Sequence, residues 1–183
     1  MKILCLIDLQ NDFTTYDGIL STPEAEKIIP EVCKLIKNRA YNDTVLITTQ
    51  DTHYENNYLD TQEGRNLPIK HCIDGTWGWE LNHDVSKAIQ AVYQQYNDYI
   101  GITKEDFGSL GLIEEIDAFG ADLEEIIFAG VCSDICLIAN IILAKSYHPE
   151  VPITVVERCC AGSTPERHAA AIEVMKSLQV HVI

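Results

Sequence analysis

Apolar runs of strand length that lack polar alternation recur along this chain, separated by stretches with helical spacing, and this pattern constrains the fold more than any other feature. Ile3 to Ile7, Thr44 to Thr49, Tyr99 to Thr103, Ile126 to Gly130, Ile153 to Val156 and Val180 to Ile183 read as strands. Helical patterns run from Thr22-Pro23-Glu24 through Ile36, from Asp84 to Tyr96, from Leu110 to Phe119, from Leu137 to Lys145, and onward from Thr164-Pro165-Glu166. Strands that are apolar on both faces belong in a sheet covered on both sides, and strand–helix alternation implies parallel pairing. The expected fold is therefore α/β: a three-layer, Rossmann-like α-β-α sandwich around a six-stranded, mostly parallel sheet. At 183 residues, with no internal repeat or linker, residues 1–183 suit a single domain.

The formal charge of −15 argues against nucleic acid or an anionic membrane as the main partner, because both require a basic footprint. A small-molecule or protein partner is expected instead. The apolar run after Lys2 is interrupted by Asp8 too early for a signal-peptide core, and no stretch is long enough to span a bilayer, so a cytosolic location is expected. Seven cysteines without a CxxC pair suggest neither a disulfide framework nor a zinc knuckle, and imply reduced, mostly buried thiols.

Polar residues mark the strand ends. Asp8 ends the first strand, Asp51 follows the second and Lys104 the third. The fourth runs into Gly130-Val131-Cys132-Ser133-Asp134-Ile135-Cys136. With Ser133 or Asp134 as a helix cap, Cys136 falls in a first helical turn, where free N–H groups and the helix dipole favour a thiolate. In an open parallel sheet ligands bind at the carboxyl ends of the strands, so these four side chains belong to one rim. Taken singly, Cys136 also reads as a small core residue, Asp8 as a turn or cap residue and Lys104 as a solvated lysine. Together they supply what a cysteine nucleophile needs, a proton acceptor in Asp8 and a cation in Lys104. Between Asp51 and Asn82 the chain shows no periodicity, only polar residues, aromatics and glycines, and a segment of that kind inside a domain usually carries function.

Asp8-Leu9-Gln10-Asn11-Asp12-Phe13, Lys104 and the Gly130–Cys136 stretch resemble the isochorismatase-like cysteine hydrolases. Gln50-Asp51-Thr52-His53 and Leu67-Pro68-Ile69-Lys70-His71-Cys72-Ile73-Asp74-Gly75-Thr76 look like the metal-binding signature of the nicotinamidase branch. The resemblance implies a catalytic triad of Cys136, Asp8 and Lys104. It also implies a cis peptide between Val131 and Cys132 and an oxyanion hole made by the backbone N–H groups of Cys132 and Cys136. Cys132 stands where that family often has alanine, so its backbone rather than its thiol is expected to act. The metal ligands implied are Asp51, His53 and His71, with Glu63 a further candidate whose spacing fits less cleanly. A carboxylate and two imidazoles suit Zn²⁺ first, with Fe²⁺ or Mn²⁺ as alternatives.

The activity so implied is hydrolysis of nicotinamide or a similar small amide through a thioester, with the ion orienting the ring. Phe13, with Tyr58 or Trp77, is expected to wall the ring, and the protein is expected to be a homo-oligomer. Leu67 replaces a tryptophan common in the branch, which leaves an N-carbamoyl or ureide substrate open. A non-catalytic binding protein is the reading from another class. Trp79 and Glu80 have no assigned role. Cys159, Cys160, His83, His148, His168 and His181 read as structural or solvated.

Overall fold

The structure is a computed structural model that describes residues 1–39 and 43–183. Its strands are β1 (Lys2–Ile7), β2 (Thr44–Asp51), β3 (Asp98–Lys104), β4 (Glu125–Val131), β5 (Ile153–Ala161) and β6 (His181–Val182). The helices are α1 (Asn11–Thr14), α2 (Pro23–Arg39), α3 (Gln62–Asn66), α4 (His83–Val92), α5 (Leu110–Asp117), α6 (Ile138–Tyr147) and α7 (Pro165–Ser177). All six strands are parallel in one sheet ordered β3-β2-β1-β4-β5-β6. Helices cover both faces: α2 packs against α4, α5 against α6, and α6 against α7. Ile3, Leu4, Leu6, Ile7, Leu46, Ile47 and Phe128 are fully buried in the central strands, each contributing roughly 2 kcal/mol of apolar burial.

Strand limits differ from the sequence reading where polar residues interrupt an apolar run. β5 continues five residues past Val156 because Glu157 and Arg158 face solvent while Cys159 to Ala161 return to the interior. The pairing shifts register opposite this interruption, between Phe128 and Gly130. The last strand shortens to His181–Val182, and the α4 pattern ends at Val92 in a short 3₁₀ turn, Tyr93–Gln95.

The strand order fixes where a site can form. From β1 the chain steps outward through β2 to β3, then returns to lay β4 on the other side of β1. Chain leaving the carboxyl ends of β1 and β4 therefore diverges, opening a crevice at the point of reversal. Gly130 is what lets these two strands close up. Its φ is +126°, and a Cβ there would stand 2.1 Å from the Ile7 carbonyl oxygen, a separation no side chain tolerates.

Candidate active site and metal centre

Asp8, Lys104 and Cys136 meet in this crevice. Asp8 is fully buried and takes a left-handed backbone conformation, φ +51°, which aspartate tolerates better than most residues. Its Oδ1 accepts a hydrogen bond from Thr49 Oγ1 at 2.6 Å, and its Oδ2 lies 2.7 Å from Lys104 Nζ. The same ammonium lies 3.6 Å from Cys136 Sγ and 3.3 Å from Asp51 Oδ1, and donates to the Asp106 carbonyl at 3.0 Å. The Val131–Cys132 peptide is cis.

One proton is held among these groups in a way the charges explain. Burial pushes the Cys136 thiol well up and Asp8 adds to this, with Lys104 only partly offsetting them. Burial also pushes Asp8 up, against the pull of Lys104. Burial alone would lower Lys104, but Asp8, Cys136 and Asp51 hold it charged, far above the usual lysine range. Two buried anions beside one cation are unfavourable, so thiol and carboxyl compete to keep the proton.

Next to this group, Asp51, His53, Glu63 and His71 each present one ligand atom, all within 4.8 Å of one another. His53 Nε2 lies 3.0 Å from Asp51 Oδ2 and 3.8 Å from Glu63 Oε2. His71 Nε2 lies 3.5 Å from Asp51 Oδ2 and 3.6 Å from Glu63 Oε1. His71 Nδ1 is 2.9 Å from the Ile69 carbonyl, which places the ring proton on Nδ1 and turns the Nε2 lone pair toward the cluster. His53 Nε2 is buried and makes no hydrogen bond. Burial would raise the Asp51 carboxyl, but the His53 and His71 rings beside it and the Lys104 charge hold it well below the usual carboxylate range. Asp8, Asp51 and Glu63 carry three potential negative charges against the one of Lys104. The donor set and this excess fit a divalent cation.

Cys136, Cys132, Asp51, Glu63 and His71 all line one cavity of about 310 Å³, closed by the apolar side chains of Phe13, Leu20, Leu67, Phe107 and Ile135. It is roughly the volume a small ring-bearing ligand fills.

The isochorismatase domain profile matches residues 2–183. The chain belongs to the isochorismatase family. It is similar to the nicotinamidase of Schizosaccharomyces pombe, 23% identical over 210 residues that cover 98% of this chain and 91% of that protein. The crystal structure of the nicotinamidase/pyrazinamidase of Bacillus subtilis aligns with a TM-score of 0.85 at 24% identity, covering 99% of this chain and 98% of that one. The pyrazinamidase of Pyrococcus horikoshii in complex with zinc aligns at 0.80 with 25% identity, covering 100% and 98%.

Within this isochorismatase-family chain several residues stand elsewhere than expected. Neither Ser133 nor Asp134 caps a helix. Ser133–Leu137 form a wide π turn leading into α6, Ser133 Oγ lies 2.8 Å from His168 Nδ1, and the Asp134 carboxylate accepts from the backbone and hydroxyl of Ser163. Cys136 still falls in the first turn, which starts after Cys132 without a side-chain cap, but burial and the neighbouring Asp8 there oppose a thiolate. Trp77 is about half exposed and faces an outer hollow with Trp79 and Glu80, so it does not wall the cavity. Tyr58 is fully buried and sets its ring edge-on to His53 and His71 instead of facing the cavity. Phe13 does line it, with its ring 5.7 Å from that of His71.

Three supporting residues had no single-residue signal in the sequence. The buried Gln10 carboxamide clamps the backbone of Asp51, accepting from its N–H at 2.7 Å and donating to its carbonyl at 2.8 Å. Asp12 accepts the Cys72 N–H at 2.7 Å, fixing the chain just after His71. Asn140 donates to the carbonyls of Cys136 and Phe107 and accepts the Ser109 N–H, tying the cysteine turn to the loop after Lys104. The density of polar residues directly after β1 was the available clue for Gln10 and Asp12.

Proposed function

We propose that this chain is a metal-containing cysteine amidohydrolase of the nicotinamidase type, converting a pyridine carboxamide to the acid and ammonia. The observation that carries this reading is the contact of Lys104 with both Asp8 and Cys136, with Cys136 opening onto a cavity also lined by Asp51, Glu63 and His71. Asp8 takes the Cys136 proton as the thiolate attacks the carboxamide carbon, and Lys104 offsets the added charge. The backbone N–H groups of Cys132 and Cys136 receive the oxyanion, donors worth about 3 kcal/mol each where such a group has been removed. Asp8 returns the proton to the leaving nitrogen, ammonia departs, and a thioester remains. Asp8 then deprotonates a water, whose attack releases the carboxylic acid and restores the thiol. Asp51, His53, Glu63 and His71 would hold a divalent ion, zinc in this reading, which supplies an electrophile for the ring nitrogen and so orients the ring. Phe13 and Leu67 supply apolar contact to the ring.

The test is ammonia release from nicotinamide by zinc-loaded protein, against a panel of other small amides and N-carbamoyl compounds. Turnover of nicotinamide that is lost in Cys136→Ala supports the reading; intact turnover in that variant refutes the nucleophile. Turnover of N-carbamoyl compounds alone moves the substrate to another amide class. We place this single domain in the cytosol as a homo-oligomer. In support, all the cysteines are unpaired thiols, as expected of a reducing compartment, and Tyr16 and Ile19 are largely exposed apolar side chains. Among the described residues no helix is long and apolar enough to cross a membrane. Sedimentation analysis at two protein concentrations tests the assembly.

A further inference from the structure

One cation in the cavity wall has no part in the mechanism above. Arg167, in the first turn of α7, lines the same cavity as Cys136, Asp51, Glu63 and His71. Its guanidinium forms no ion pair among the described residues, although the chain carries 28 acidic residues against 13 basic ones. The positive end of a helix dipole is also an unfavourable place for a cation. Arg167 is solvent-exposed, so water rather than a protein anion satisfies its guanidinium where no ligand is bound.

Its orientation is set from the catalytic side. Nη1 donates to Ser163 Oγ at 3.2 Å. The Ser163 hydroxyl donates to Asp134 Oδ2 at 2.6 Å, and the Ser163 N–H donates to Asp134 Oδ1 at 2.8 Å. Asp134 belongs to the turn that carries Cys136, so a chain of hydrogen bonds links the guanidinium to a side chain of the turn that holds the nucleophile.

The strand order then says what this cation faces. Asp51 ends β2, Cys136 follows β4 and Arg167 follows β5, so along the rim the thiol lies between the metal-ligand cluster and the arginine. An amide held with its ring at the cluster and its carbonyl at Cys136 presents its remaining substituent toward Arg167. A guanidinium fork matches a carboxylate in two-point geometry.

We propose that Arg167 is a specificity residue selecting amides that carry a carboxylate, an inference that rests on the amidohydrolase reading above. The carboxylate can sit on the ring or on the leaving amine, and matched probes distinguish the two. For the ring, 5-carbamoylpyridine-3-carboxylate is compared with nicotinamide. For the leaving amine, N-nicotinoylglycine is compared with N-(2-hydroxyethyl)nicotinamide.

In zinc-loaded protein one of these pairs shows a kcat/KM ratio of about fivefold or more in favour of the anion, the size expected of a partly exposed charged contact. Added salt shrinks it. Arg167→Ala brings the ratio to about one, and Arg167→Lys retains part of it. A second readout needs no turnover: zinc-loaded Cys136→Ala is titrated calorimetrically with pyridine-3,5-dicarboxylate and with pyridine-3-carboxylate. Tighter binding of the dicarboxylate that Arg167→Ala abolishes supports the assignment even where no amide is hydrolysed, which would count against the amidohydrolase reading alone. Hydrolysis with no charge preference in either pair, or a preference that survives Arg167→Ala, overturns the role of Arg167 and leaves the amidohydrolase reading standing.

Discussion

Replacing Lys104 with methionine removes the one cation that touches Asp8, Asp51 and Cys136, at 2.7, 3.3 and 3.6 Å, while filling most of the volume of its stem. The change strands two buried carboxylates, since Asp8 is fully buried and Asp51 nearly so. Breaking a buried pair in this way costs about 3–5 kcal/mol. For a domain of this size each kcal/mol corresponds to about 2–4 °C, so Lys104→Met should lower the melting temperature by roughly 6–20 °C near pH 7. Adding Asp8→Asn removes one stranded charge, and the double variant should be more stable than Lys104→Met alone. The pH dependence has a definite sign. Burial already raises Asp8, and without the ammonium it rises further, so the folded variant binds a proton that the unfolded chain releases above its ordinary value near 3.9. Stability lost by Lys104→Met is then partly regained as pH falls from 8 toward 5. Circular dichroism melts of parent, single and double variants across that range check this. A single variant within about 2 °C of the parent, given the same conversion, or an additive further loss from Asp8→Asn, would refute the account of the buried charges.

Gln10→Met should weaken zinc binding about 10- to 100-fold, the usual effect of losing a group that orients a metal ligand, because the Gln10 carboxamide holds both backbone groups of Asp51; a competition titration with a chromophoric chelator reads it, and unchanged affinity would show that Asp51 needs no such clamp. Alkylation of Cys136 by iodoacetamide in the ligand-free protein should be slow at neutral pH and accelerate steadily up to at least pH 9, since burial and Asp8 hold the thiol well above its ordinary range; peptide mapping that finds fast, pH-independent labelling from pH 6 to 8 contradicts this. Gly130→Ala should cost about 3 kcal/mol or more in unfolding free energy, because its Cβ meets the Ile7 carbonyl in the middle of the sheet; urea denaturation measures it, and a neutral result would mean that β1 and β4 can separate freely.

The layer architecture and the rim were legible in the sequence because they rest on periodicity and on one topological rule. Apolar runs in β1, β2 and β4 carry no alternation, and the residues at their ends fall where an open parallel sheet binds ligands. Apart from the cis Val131–Cys132 peptide that the resemblance implied, what the sequence could not show was which tertiary partner each side chain would find. A serine and an aspartate after a strand look like a helix cap, yet here they bond to α7 and the loop before it, because tertiary partners outcompete the local cap. Glu63 looked poorly spaced because spacing along a loop says little about where a five-residue helix will turn its first residues; Thr61 caps that helix by accepting the Gly64 N–H, and the cap sets Glu63 against both histidines. Tyr58 and Trp77 were indistinguishable as aromatic candidates, and only packing separates a fully buried ring from a half-exposed one.

Lys104 shows why fold and site are one statement in this chain. Register pairs Asp51 directly with Lys104 across β2 and β3, and Asp8 lies one strand further in, about 10 Å from β3 by ordinary strand spacing. The contacts of the ammonium therefore follow the sheet order, from β3 past Asp51 of β2 to Asp8 at the end of β1 and then to Cys136 after β4. A long, flexible stem with a compact charge can cross that distance and touch all three groups, whereas a planar guanidinium would commit to one carboxylate. A one-residue slip in the β2–β3 register would turn Lys104 to the opposite face of the sheet, separating the thiol from its cation and the metal-ligand cluster from its counter-charge in a single step.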